Sequence, residues 1–581
     1  MALHKLNYPL IGIDDANIYF VYARNLANGY GFVYNVGGER VEGFTSLLWT
    51  LISALAFKFS AYPELTLLIV NITIVSLGIA YALDYLQGHA LLGKEKKQGI
   101  KLFWSALFLT LIFTSPRYIV WNTITLMENA LWSTLLLFTT IFVIRVQVSA
   151  GAISFGFVPL SILLLLTRPE SILWVTIFAT ILFLRMASTG NIIDALKALS
   201  PSVVSIALTL ALLTLFRIQY FGYPLPNTYY AKVSPSIAHN LEQGAVYLIR
   251  YFISDPIVTI SATAVFLACL YSVLRPSPYS GAFFLPIIAA TGLLIPLLTG
   301  GDHFGSFRFY QNVYPITILC SIYFVQQIFP EMIKSIKYPD ISPQVRRILF
   351  LGPALILVYG YLLTQATAWS HFSSEIDAEF KVAEYERRNG AFIQELFSSL
   401  PHLPGIGVIA SGGIKYSYGG EIVDLLGLNN TIMAHNHGDR TGYKNHAAFE
   451  IGTFYKLQPD IVWPINVNEG EWQYSEVELK ERWENILGFK GLFNDPHFLE
   501  LYVYARVSRK SESGNGTALV AWFKKDFLKS IVANADFLVE EYQYTPSSTN
   551  IPFGIYKVSV LNAITNVSAI FSILISSLTI R

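Results

Sequence analysis

Apolar runs near 20 residues long recur along the first two thirds of the chain, each long enough to cross a hydrocarbon core of about 30 Å. They fall at 64–87, 101–118, 125–146, 198–217, 256–275, 282–299, 310–329 and 346–367. Between 146 and 198 the pattern is interrupted by "TRPE". A single helix there would carry Arg168, Pro169 and Glu170 through lipid, which is costly, so two short helices broken at that tetrapeptide are expected. Residues 44–60 are short for a span and read equally as an interfacial helix. The first part of the chain, 1–367, therefore reads as an α-helical polytopic membrane domain of about ten or eleven spans.

After residue 367 the periodicity changes. Residues 370–398 are charged with helical spacing, and "GIGVIASGG", "EIVDLLGL" and "PDIVWPI" read as short buried strands between glycine turns. This predicts an α/β domain over 368–561. Residues 562–581 form an apolar tail that reads as a further span or a membrane-facing segment.

Lysine and arginine cluster at Lys94, Lys96, Lys97 and Lys101, at Arg145, at Arg185 and Lys197, at Arg275, and from Lys334 to Arg347. With these loops cytoplasmic by the positive-inside rule, the spans alternate without conflict if 44–60 does not cross. The remaining connections share the outer face. They are residues 11–43, "TSPRYIVWNTITLME", "TRPES", "FGYPLPNTYYAKV", "LTGGDHFGSFRFYQ" and everything after about 368. Nearly every unusual polar motif falls on that one side.

Composition agrees with this reading and excludes others. The chain has 581 residues, 53% hydrophobic and 14% charged, with a mean hydropathy of +0.47. Soluble domains carry nearly twice that charged fraction. A net charge of +1 offers no basic field for nucleic acid. Cys269 and Cys320 lie in apolar runs without a CxxC or histidine partner and read as packing residues. "MALHKLNYPL" has no apolar h-region and does not read as a signal peptide. No P-loop, Rossmann fingerprint, HExxH or GxSxG in a supporting context appears, so an activated donor would arrive through the membrane.

Asp14 and Asp15 lead the candidate chemistry. Adjacent carboxylates repel, and a fold keeps such a pair where it needs a base, a cation site or a partner for hydroxyls. They also suit a helix N-terminus, with Asp15 capping "ANIYFVYARNLANG". Glu42 reads as a cap near the 44–60 helix or as a polar contact in a cavity. In "LTGGDHFGSFRFYQNVYP" a glycine turn displays Asp302, His303 and Arg308, and the planar donor fork of arginine suits phosphate. Arg308 is equally explained as a residue snorkelling to headgroups. Glu128 opens a span, where a carboxylate favours the helix dipole, and Arg168 suits a pair with Glu170. "PLPNTYYAK" offers Asn227, Tyr229, Tyr230 and Lys232 to a sugar face or a phosphate, or as interfacial anchors. "HNHGDR", with His435, His437 and Asp439, lacks the helical spacing of a metal site and reads as a solvated loop.

"IDDANIYFVYARNLANGYGFVYNVGGERVEGFTSLLWT" resembles the first external loop of the C-type (GT-C) membrane glycosyltransferases akin to the mycobacterial terminal arabinofuranosyltransferase. "LPNTYYAK", "LTGGDHFGSFRFYQNVYP" and "EIVDLLGLNN" resemble further blocks of that group in the same order, so the resemblance runs from 11 to about 465. It implies a GT-C membrane domain with an extracytoplasmic α/β domain, in a bacterial-type inner membrane. It implies a polyprenyl-phosphate-linked sugar donor, transfer on the outer face to a glycan, lipid or protein acceptor with inversion, and an acid of the first loop as base. Carried over, that base is Asp14 or Asp15, with Arg308 and Lys232 contacting the donor phosphate. No cofactor is required, although a divalent metal near the aspartates is compatible with the residues. Family members begin with a transmembrane helix before this loop, which is expected to be missing here, and Asn430 stands where an acid is expected. The rival classes are a lipid-linked-sugar transporter or flippase, which would place charges at the midplane of repeated halves, and a non-enzymatic envelope assembly protein.

Overall fold

The computed structural model describes residues 10–88, 98–146, 150–275, 281–331, 373–440, 447–465, 487–510, 518–534 and 536–541. The runs at 346–367 and 562–580 and the basic clusters at 94–97 and 334–347 lie outside them.

The acidic segment expected as a loop opens instead with helix Asp14–Ala27. Its residues explain why. Ala16, Ile18, Phe20, Val21 and Ala23 are apolar on successive faces, and each is 4% exposed or less. A helix that is apolar nearly all round must be enclosed. Gly12 permits the entry, with a φ of 70° and Thr125 O 2.9 Å from where a Cβ would stand.

Among the described residues, five helical segments are long and apolar enough to cross a membrane: Pro63–Gln87, Ser171–Thr189, Ile192–Phe221, Pro256–Leu274 and Gly281–Thr299. Leu47–Phe59, Asn129–Arg145 and Phe155–Thr167 are shorter apolar helices. The expected count of ten or eleven is thus not reached by full-length helices among the described residues, and two breaks account for part of the difference. The run at 101–118 bends by 71° where Ser115 caps Tyr118 N and Pro116 starts helix Pro116–Asn122. The run at 310–329 bends by 63° between Gln311 and Tyr314, a few residues after Ser306 and Phe307 take left-handed φ values of 60° and 53°. The break at "TRPE" stands as expected, between helices Ala150–Thr167 and Ser171–Thr189.

The C-terminal part is a six-stranded mixed sheet in the order β2-β1-β3-β5-β4-β6. β1 (Ile406–Val408), β2 (Ile422–Asp424) and β3 (Ile461–Ile465) pair in parallel, with Ile406 opposite both Ile422 and Ile461. β4 (Tyr502–Arg509), β5 (Leu519–Lys524) and β6 (Phe537–Glu541) pair antiparallel. Both sheet faces are covered. Ile406, Ile461, Ala521 and Phe523 join a core continuous with the membrane helices, whereas Val423, Val462, Tyr504 and Trp522 form a second core on the opposite face. Helix Ser373–Leu396 and helix Gly412–Ser417 lie between the sheet and helix Asp14–Ala27. That continuity brings the C-terminal part onto the aspartates.

Candidate active site

Adjacent residues on a helix point about 100° apart, and this separates the two aspartates. Asp14 is 7% exposed and faces the C-terminal part. Its Oδ1 accepts from Gly413 N at 2.7 Å and its Oδ2 from Gly412 N at 3.1 Å. Burial pushes the Asp14 carboxyl up to about 6, against the two amide hydrogen bonds that favour its charge. Asp15 faces a cavity and two cations: Lys232 Nζ lies 3.5 Å and Arg308 Nη1 3.8 Å from its Oδ2. Burial opposes its charge, but Lys232, Arg308 and then His303 outweigh that effect and hold the carboxyl below its ordinary value.

The cations reach Asp15 from separate elements. Lys232 closes the six-residue helix Asn227–Lys232. Arg308 follows the left-handed pair Ser306–Phe307, and each non-glycine residue in that region costs roughly 1–3 kcal/mol. The arginine is then fixed on all sides. Its Nε donates to Asp302 Oδ2 at 2.6 Å, and its guanidinium lies 4.4, 5.3 and 5.8 Å from the rings of Phe304, Phe309 and Trp121. Burial works against the Asp302 charge, yet Arg308 and His303 keep that carboxyl well below the usual range. His303 Nδ1 stands 3.4 Å from Asp302 Oδ1.

The cavity measures about 780 Å³, within the range of small-molecule sites. Asp15, Lys232 and Arg308 line it together with Glu128, Arg168 and Glu170. Arg168 donates to Glu128 Oε1 and to Glu170 Oε1, both at 2.5 Å. The rest of the wall is mainly apolar, and several of its residues also face outward: Ile237 is 74% exposed, Leu298 56% and Leu173 40%. A polar, charged corner thus continues into an apolar wall that reaches the outside of the helical part. Tyr229 stands on this wall, half-exposed.

Two expected site residues are committed elsewhere. Glu42 neither caps the following helix, which Ser46 does, nor lines the cavity. It is 2% exposed and holds Arg217 through both oxygens, at 2.9 to 3.1 Å. Asn227 Nδ2 donates to Gly427 O and Leu428 O at 2.7 and 3.0 Å, fastening the Lys232 helix to the C-terminal part. Asn430 caps the turn Thr431–Ala434 by accepting from Met433 N. His435, expected in a solvated loop, stacks on Tyr223 and Tyr230 with centroids 3.9 and 4.1 Å away.

Both Asp14 oxygens accept from backbone amides, and Asp15 already faces two cations. Among the described residues no group of three histidine, cysteine, aspartate or glutamate side chains could hold a metal ion.

No family model matches the chain, and no curated protein matches it. A solved structure similar to it is that of the archaeal oligosaccharyltransferase AglB from Archaeoglobus fulgidus, in complex with an inhibitory peptide and a dolichol-phosphate. The two share 12% identity over 88% of this chain and 70% of that one, with a TM-score of 0.43.

Two acids escaped the sequence reading. Glu379 and Glu386, on helix Ser373–Leu396, sit two turns apart on the face that also buries Ile376, Phe380 and Ala383. Burial, and then Asp15 and Asp14, pushes the Glu379 carboxyl up to about 7. Burial, and then Asp14, pushes Glu386 up to about 8. Their seven-residue spacing within an apolar stripe is the signal that a merely solvated charged helix would lack.

Proposed function

We propose that this chain is a membrane glycosyltransferase of the GT-C type, moving a sugar from a polyprenyl-phosphate carrier to a hydroxyl of a cell-envelope glycan, lipid or protein on the outer face. The observation that carries the reading is Asp15 set between Lys232 and Arg308 in a laterally exposed cavity whose charged side continues into a mainly apolar wall. An amphiphile with one anionic head and a long apolar tail matches both halves of that cavity. The resemblance of four ordered sequence blocks to GT-C enzymes supports the same substrate class.

In this mechanism Asp15 accepts the proton of the acceptor hydroxyl. The hydroxyl oxygen forms a bond to the anomeric carbon while the bond from that carbon to the phosphate oxygen breaks. The electron pair leaves with the phosphate, whose growing charge Lys232 and Arg308 stabilise. The two cations that weaken Asp15 as a base are the ones a bound phosphate would neutralise, so donor binding would restore its basicity. Asp302 holds Arg308 ionised and aimed, and Asp14 positions the helix that carries Asp15.

The test uses purified protein and radiolabelled polyprenyl-phosphate sugars. Asp15→Asn is expected to lower turnover by about 10²- to 10⁴-fold, the usual worth of a general base. Normal turnover in that variant would overturn the assignment. Accumulation of lipid-linked sugar across vesicles without bond cleavage would favour the transporter class.

A further inference from the structure

Resting on that reading, the polar lining of the cavity holds two kinds of group. The first is the Lys232–Asp15–Arg308 corner. The second is a set of side-chain oxygens on Glu128, Thr228 and Asn240, which line the same cavity and are each 5% exposed or less. Each of these three carries an oxygen without a hydrogen-bond partner among the described residues: Glu128 Oε2, Thr228 Oγ1 and Asn240 Oδ1. Their other groups are accounted for where a bond exists. Glu128 Oε1 accepts from Arg168 Nη1, and Asn240 Nδ2 donates to Ser234 O at 2.9 Å. An unpaired polar oxygen shielded from water costs roughly 1–3 kcal/mol, so three lining one cavity call for donors that the described residues do not supply.

The charge of the second set selects the donor. Arg168 is shared by Glu128 and Glu170, so the triad carries one net negative charge. It repels a phosphate and accepts strongly from neutral hydroxyls. The phenyl ring of Phe309 lies 5.3 Å from the Arg308 guanidinium and 5.5 Å from that of Arg168, so both cations pack against one ring of the cavity wall. We infer that Glu128, Thr228 and Asn240 form a hydroxyl-reading zone that selects the sugar of the lipid-linked donor while Lys232 and Arg308 hold its phosphate.

The test compares the affinity of the purified full chain for polyprenyl phosphate with its affinity for a panel of polyprenyl-phosphate hexoses and pentoses, by native mass spectrometry in detergent. Wild type is expected to prefer at least one sugar-bearing lipid over the bare phosphate by about tenfold or more. Glu128→Gln should cut that ratio by about tenfold, the worth of one charge-assisted hydrogen bond, whereas Lys232→Gln should weaken both lipids by the same factor. Thr228→Val is the control for folding. Removing an oxygen without a partner leaves the melting temperature unchanged, yet the preference ratio should fall severalfold. Equal affinity of wild type for both lipids, or ratios unmoved in both variants, would overturn the hydroxyl-reading zone and leave the lipid-phosphate reading standing. Failure of wild type to bind either lipid would overturn the donor assignment itself.

Discussion

Asp14 offers the sharpest test of how the two parts of the molecule are joined. Its carboxyl lies at about 6 in the folded chain against 3.8 in a solvated one, with burial as the leading cause. The raised value means that folding favours the protonated form. The stabilisation is complete below 3.8 and is lost as pH rises through about 6. At 1.36 kcal/mol per pKa unit the full effect is roughly 3 kcal/mol. Integrated over pH, about 2.4 kcal/mol separates pH 4 from pH 7.5, of which about 1.4 kcal/mol is already present at pH 5. Asp14→Asn removes the titration while keeping one oxygen to accept from Gly413 or Gly412. Unfolding of both proteins in detergent, followed by tryptophan fluorescence from pH 4 to 7.5, reads this group together with its coupling to Glu379 and Glu386, whose carboxyls the Asp14 charge helps to raise. The stability difference between wild type and Asp14→Asn should shift by roughly 2 kcal/mol across the range, in favour of wild type at low pH. Parallel pH curves would refute the claim that Asp14 is a buried, desolvated docking group.

Breaking the Glu42–Arg217 pair with Glu42→Gln should cost about 3–5 kcal/mol, because it strands a buried guanidinium. The double variant Glu42→Gln with Arg217→Met should recover most of that loss in the same unfolding assay. Gly412→Ala would place a Cβ 1.9 Å from Asp14 O, with only backbone to yield. It should cost on the order of 3 kcal/mol, and limited proteolysis should then cut near helix Gly412–Ser417.

What could be read from the chain followed the range of the interactions involved. The "TRPE" break, helix Pro63–Gln87 and strands β1 to β3 were legible because each depends on local periodicity or on one charged interruption. The grouping of Asp15, Lys232, Asp302 and Arg308 was legible through topology, since their motifs fall on one expected face. The division of labour between Asp14 and Asp15 was not. It depends on Gly412 and Gly413, about 400 residues away, and nothing in "IDDANI" marks which carboxylate turns toward them. The Glu42 pairing was not legible for the same reason, as its partner Arg217 lies 175 residues on, at the end of the apolar run 198–217. Among the described residues fewer full-length spans stand than expected, because the breaks at Ser115–Pro116 and between Gln311 and Tyr314 bend runs that hydropathy alone counts as continuous.

These long-range contacts converge on one helix. Asp14 accepts from Gly412 and Gly413, Asn17 Oδ1 accepts from Arg387 at 2.6 Å, and Arg24 donates to Tyr416 O at 2.8 Å. Tyr22 and Tyr34 reach Asn429 and Ser411 in turn. Asn227 ties the element bearing Lys232 to the same C-terminal part through Gly427 and Leu428. Two of the three groups at the charged corner are therefore oriented by the C-terminal part, while Arg308 is held within the helical part by Asp302 and its aromatic neighbours. An acidic helix buried nearly all round, with its carboxylates desolvated, is expensive to keep beside membrane-spanning helices. The cost is understandable if that helix is the keystone across which the two parts set one carboxylate against two cations.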